Sequence, residues 1–87
     1  MRRSKIELRW ERRAFKELMA LPIKERRLIV ASVESLELEP LKGSMLSGEW
    51  KGLRRLRVGR YRVIYAFDGH HLMISVIRVA HRKEAYR

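Results

Sequence analysis

Leu53-Arg54-Arg55-Leu56-Arg57-Val58-Gly59-Arg60-Tyr61-Arg62-Val63-Ile64-Tyr65 decides the fold. Apolar and basic side chains alternate on either side of Gly59-Arg60, so the stretch reads as two antiparallel strands. Glycine in the first central position of their two-residue loop suits a type II′ turn. With Val58 opposite Tyr61 and Leu56 opposite Val63, alternation puts Leu56, Val58, Tyr61, Val63 and Tyr65 on one face, the core face. The other face carries Arg55, Arg57 and Arg62, with Arg57 directly across from Arg62. Like charges opposed across a strand pair destabilise it, and an anion bound there would remove the penalty. A solvated sheet face accounts for the alternation equally well, because antiparallel sheets often wet one side.

Downstream, Phe67-Asp68-Gly69-His70 supplies an Asp-Gly turn signal. The near-continuous apolar run from Leu72 to Ala80 then suits a strand buried on both faces. Simple alternation aims Arg78 at the core with Ile74 and Val76, and a bulge near Ile77 is one way out. Upstream, Leu41 to Gly52 is rich in Gly and Ser and reads as a loop, part of which could pair as an edge. Ile6, Leu8 and Trp10 alternate with charged residues as a first strand of about six residues. Ala14, Phe15, Leu18 and Leu21 then fall at helical spacing up to Pro22. A second helix from about Ile23 to Leu38 places Leu28, Ile29, Ser32, Val33 and Leu36 on one face until Pro40 stops it. The order β-α-α-β-β-β predicts an α+β fold, a small mainly antiparallel twisted sheet with a helical hairpin packed on one face. The first strand should lie parallel beside the last, both central, with the helices as the crossover between them.

Eighty-seven residues make one domain spanning 1–87. There is no run of about 18 apolar residues to cross a bilayer and no signal-peptide core after Met1-Arg2-Arg3, so the expected location is the cytoplasm. Zero cysteines exclude disulfides and thiolate metal sites. Three histidines without ligand spacing point away from a metal centre, and no cofactor is expected. The net charge of +11 favours a polyanionic partner. Its distribution sharpens this: residues 1–50 hold 11 basic and 8 acidic side chains, residues 51–87 hold 10 and 2, so the excess sits on the strands. A membrane-surface role would want a basic amphipathic helix with large apolar residues opposite, whereas these helices carry mixed charge. Nucleic acid is the favoured partner.

The end of the last strand, His81-Arg82-Lys83-Glu84-Ala85-Tyr86-Arg87, gathers titratable, basic and aromatic groups. The alternation Ser75, Ile77, Val79, His81 places His81 on the face of Arg57 and Arg62. Histidine is also the one side chain here whose ordinary pKa lies near neutrality. Tyr86 is suited to stacking on a base or bonding a phosphate, or simply to packing the C-terminus. His70 and His71 read as turn residues, and the tryptophans with Met19, Met45 and Met73 as packing.

The arginine hairpin, together with Val76-Ile77-Arg78-Val79-Ala80-His81-Arg82-Lys83-Glu84-Ala85-Tyr86, resembles the RelE/ParE toxin superfamily of toxin–antitoxin systems over essentially the whole chain. The resemblance implies a toxin that cleaves messenger RNA in the ribosomal A site and is silenced by a cognate antitoxin. Residue by residue, it implies that Arg55 and Arg57 are basic positions of an active sheet, that Arg62 contacts the scissile phosphate, that Arg82 is a second site arginine and that Tyr86 is a catalytic tyrosine. Best-known RelE members carry lysine at the first two positions, and arginine, always protonated, cannot replace lysine as a base. Proton transfer therefore goes to His81, with Tyr86 for base stacking or proton transfer. Lys51, Arg54, Arg60, Arg78 and Lys83 are the further expected RNA contacts.

Cleavage of this kind is metal-independent: the 2′-hydroxyl attacks, giving a 2′,3′-cyclic phosphate and a 5′-hydroxyl. The expected partners are an acidic antitoxin, RelB-like or of another kind, and messenger RNA on the ribosome. Operator DNA would be met only through the antitoxin, and no membrane is involved. Two other readings remain: a ParE-like toxin that poisons DNA gyrase, and an inactive homologue that only binds RNA.

Overall fold

Tyr65 organises the structure, a computed structural model that describes residues 6–81. It is fully buried in β4 (Tyr61–Asp68). Its phenol donates to the Pro40 carbonyl at 2.8 Å and accepts from the Gly43 N–H at 2.9 Å. Both ends of the hydroxyl are thereby satisfied, and the loop after the helices is fastened to the sheet. Gly43 is required by space: a Cβ there would lie 2.7 Å from the Arg55 carbonyl oxygen and 2.8 Å from the Tyr65 ring. Just beyond, β2 (Ser44–Met45) adds a short edge to β3 (Arg54–Val58). This is the pairing the Gly-rich stretch allows.

The sheet order is β1-β5-β4-β3-β2, with β1 spanning Glu7–Trp10 and β5 spanning Met73–His81. β1 runs parallel to β5, Leu8 facing Ile74 and Trp10 facing Val76, and the other pairs are antiparallel. The crossover is as expected, but β1 is a four-residue edge strand, not a central one; Glu7 and Arg9 point to solvent along it. The β3–β4 register matches the sequence reading throughout, Val58 to Tyr61, Arg57 to Arg62 and Leu56 to Val63. Gly59 sits at φ +59, the left-handed conformation that the first position of a II′ loop needs.

Between β1 and β2 come α1 (Arg12–Met19) and α2 (Ile23–Glu34). Pro22 stands at the start of α2, where its missing N–H costs nothing. Arg26 donates from Nη2 to the Met19 and Leu21 carbonyls, both at 3.2 Å, and so satisfies the open end of α1. α2 ends four residues before the position expected from periodicity. Ser35 donates its hydroxyl to the Ser32 carbonyl at 2.6 Å, and residues Ser35–Glu37 tighten into a 3₁₀ turn that still buries Leu36. The helices bury Ala14, Leu18, Ile29, Val33 and Leu36 against Leu56, Val63, Tyr65, Ile74, Val76 and Val79. Phe15 and Leu28, read as core-facing, are 50% and 58% exposed. Each is next in sequence to the residue that fills the core, Ala14 and Ile29, and therefore lies about 100° round the helix.

The Asp68-Gly69 signal marks a turn, but of four residues instead of two. Asp68 accepts from the His70 and His71 backbone N–H groups at 3.0 and 3.2 Å and lies 2.7 Å from His71 Nδ1. Leu72 takes a positive φ of 52°. The Asp68 carboxylate, rather than a glycine conformation, makes this turn.

Candidate functional site

The open face of the sheet is built by β3 and β4. Arg57 and Arg62 are directly opposed, Arg55 lies across from Ile64, and on the far side of Arg62 stands Ala80 of β5. Alanine there leaves the Arg62 guanidinium without a bulky neighbour across the strand. Arg57 is exposed, and Arg55 and Arg62 are half-buried. The Arg62 Nε is buried and has no hydrogen-bond partner among the described residues. A buried guanidinium N–H without an acceptor costs about 1–3 kcal/mol. Two arginine forks side by side match the oxygens of a phosphate, which would supply the missing acceptor and remove the repulsion together.

The face is narrower than the sequence suggested, and three of the expected positions are corrected. His81 is not beside Arg57 and Arg62. Ile77 is an extra residue in β5, since Ile64 pairs with Arg78 and Tyr65 with Val76. The bulge reverses the alternation beyond it, so Val79 packs in the core and His81 pairs with Tyr61. The Tyr61 and His81 rings meet edge to face, centroids 6.1 Å apart. Arg78 is not a surface contact: it is 5% exposed and donates from Nε and Nη2 to Glu17 Oε2 at 3.1 and 2.9 Å. Arg54 is paired with Tyr65, on the helix side of the sheet, and donates to the Gly43 and Leu41 carbonyls at 2.7 and 3.3 Å. It fastens the loop.

Arg60 is exposed at the hairpin tip, on the rim of a cleft that Leu28, Ile29, Val58 and Tyr61 line on the helix side. Lys51 is exposed after the 3₁₀ turn Gly48–Trp50. Arg82, Lys83 and Tyr86 lie outside the described residues. Sequence reasoning missed Glu17 and Ala80. An arginine inside an apolar strand signals that a carboxylate must be found for it, but nothing in the spacing said that α1 would provide one. Among the described residues no three His, Asp or Glu side chains converge as a metal ion would require, and no helix is long and apolar enough to cross a membrane.

Among the described residues two groups titrate away from their ordinary values, neither on the arginine face. Burial pushes the Tyr65 phenol up, partly offset by the Gly43 hydrogen bond and by Arg54. The His71 ring, bonded to the Asp68 carboxylate, holds that carboxyl below its usual range, helped by the backbone N–H groups of the turn.

Comparison with known proteins agrees with this architecture. A family model described as the ParE toxin of the type II toxin–antitoxin system parDE matches residues 8–86. Toxin RelG of Mycobacterium tuberculosis is 35% identical over 85 residues, covering 92% of this chain and 94% of that protein. Among solved structures, a RelBE toxin–antitoxin complex of M. tuberculosis contains a chain with TM-score 0.82 and 32% identity, covering 88% of this chain and 98% of that one. The archaeal RelE–RelB complex of Pyrococcus horikoshii gives TM-score 0.74 at 25% identity, over 92% and 98% of the two chains. With the mixed sheet, the helical hairpin and the arginine face, these matches place the chain in the RelE/ParE superfamily, as a toxin of a type II toxin–antitoxin system.

Proposed function

We propose that this toxin is a ribosome-dependent messenger RNA endoribonuclease. The observation that carries the reading is the opposed pair Arg57 and Arg62, with a buried Arg62 Nε that has no acceptor among the described residues. Attack of a 2′-hydroxyl on the adjacent phosphorus builds a dianionic pentavalent centre, and fixed guanidinium forks stabilise that charge more than the ground state. Arg62 and Arg57 take this role, with Arg55 one pleat away on β3. His81 faces Tyr61, so within this reading proton transfer falls to Tyr86, the position the family resemblance marks as catalytic. Arg82 and Lys83, next in sequence to His81, would add positive charge. The products are a 2′,3′-cyclic phosphate and a 5′-hydroxyl, formed without a metal. The partner in the cell is an acidic antitoxin, as the RelB-bound relatives suggest, covering Arg55, Arg57 and Arg62. The toxin acts in the cytoplasm and meets operator DNA only through that antitoxin.

The match to a ParE family model favours a second reading, poisoning of DNA gyrase. Primer extension on translated messenger RNA separates the two. Discrete 5′-hydroxyl ends appearing only with ribosomes support the nuclease. Intact message together with gyrase-dependent breaks in supercoiled DNA would establish the alternative.

A further inference from the structure

β5 carries an arginine inside a buried apolar run. Strict alternation from Ile74 and Val76 would send Arg78 and Ala80 into the core and turn Val79 and His81 onto the open face. One extra residue at Ile77 resets the phase for Val79, Ala80 and His81, while Arg78, at the bulge itself, stays buried and reaches α1. A bulge leaves backbone groups unmatched in the ladder. Here the Val79 N–H donates to Glu17 Oε1 at 2.8 Å, while Arg78 holds Oε2 of the same carboxylate through Nε and Nη2 at 3.1 and 2.9 Å. Arg13 Nε approaches that oxygen at 3.5 Å. Glu17, on α1 and 61 residues from Arg78 in the chain, thus grips two consecutive residues at the point where β5 changes phase. A pair of this kind, with Arg78 buried and Glu17 half-buried, adds little net stability, because desolvation offsets its attraction. It supplies register instead, since three directed hydrogen bonds define which backbone N–H faces α1.

We propose that Glu17 and Arg78 are positioning residues for the arginine face. Their clamp fixes the bulge, and the bulge decides that Ala80 stands beside Arg62 and that His81 turns to Tyr61. The kinetic consequence rests on the nuclease reading above. The structural consequence does not.

Glu17→Gln tests it, because the amide retains a carbonyl for the Val79 N–H but loses the charged fork with Arg78. Arg78→Lys, which keeps the charge and loses the fork, is the second variant. In NMR spectra of either folded variant, the Tyr61–His81 cross-peaks are lost, while the Arg57–Arg62 cross-strand peaks persist. Single-turnover cleavage on programmed ribosomes slows by roughly 10- to 100-fold with little change in the half-saturating toxin concentration, as expected for misplacement at a site. If the Tyr61–His81 contact persists in both variants, or cleavage weakens only through the half-saturating concentration, the clamp does not position the site. If the wild type cuts no RNA, the nuclease reading fails, and the NMR result alone decides the clamp.

Discussion

Arg57 and Arg62 are opposed across a strand pair, where like charges destabilise and opposite charges contribute about 0.2–1 kcal/mol. Arg57→Glu is therefore expected to raise the thermal midpoint slightly while abolishing toxicity, a combination that a merely solvated face would not give; growth inhibition and thermal unfolding measured together check it. Tyr65 makes the opposite case, a residue whose value is structural. Tyr65→Phe leaves the buried Gly43 N–H and the Pro40 carbonyl without a partner and should cost about 1–3 kcal/mol in denaturant unfolding. The Tyr65 phenol, raised in the folded state by burial, contributes stability that is present below its ordinary value near 10 and lost as pH rises beyond it. Asp68 has the reverse sign. Held low in the fold by His71, it supports the turn above its ordinary value of 3.8, and that support disappears as pH falls through its depressed value. The protection of the His70 and His71 amides, measured against intrinsic exchange at each pH, should fall on acidification, and Asp68→Asn should remove that pH dependence.

At the scale of elements, what could be read in the sequence is what alternation and turn chemistry determine locally. The β3–β4 hairpin is legible to the residue, because Gly59 fixes the loop and the loop fixes every pair that follows. The parallel placement of β1 beside β5 follows from the length of the helical crossover. Arg78 inside the apolar run points to a bulge near Ile77, and the bulge is there, but the phase of β5 beyond it is not legible. It depends on Glu17, a helix residue far off in the chain, and a one-residue slip moves every later side chain to the other face. His81 and Arg78 were misplaced for that single reason, and Arg54 because its loop partners at Leu41 and Gly43 carry no sequence signature. The loop itself offers a sharp test. Gly43→Ala drives a methyl group against the Arg55 carbonyl and the Tyr65 ring, neither of which can retreat, so unfolding experiments should show a loss of about 1–3 kcal/mol.

For the whole molecule, the decisive property is that +8 of the net charge of +11 falls within residues 51–87, the segment that also supplies three strands of the core. Binding to RNA or to an acidic antitoxin should weaken steeply as salt rises, because counterions released from the polyanion drive association. Titrations at several salt concentrations would show this as a linear fall of log affinity with log salt, and a flat response would contradict the electrostatic account. Within that field the Arg57–Arg62 pair serves a phosphate and not the fold. Its most direct test is single-turnover cleavage of ribosome-bound messenger RNA by wild type and Arg62→Ala, with thermal unfolding of the same samples. The account predicts a loss of on the order of 100-fold or more in cleavage rate, comparable to removing one preorganised donor from a charged transition state, with stability unchanged or higher. An Arg62→Ala protein that cleaves at the wild-type rate, or one that loses activity only because it unfolds, would contradict it.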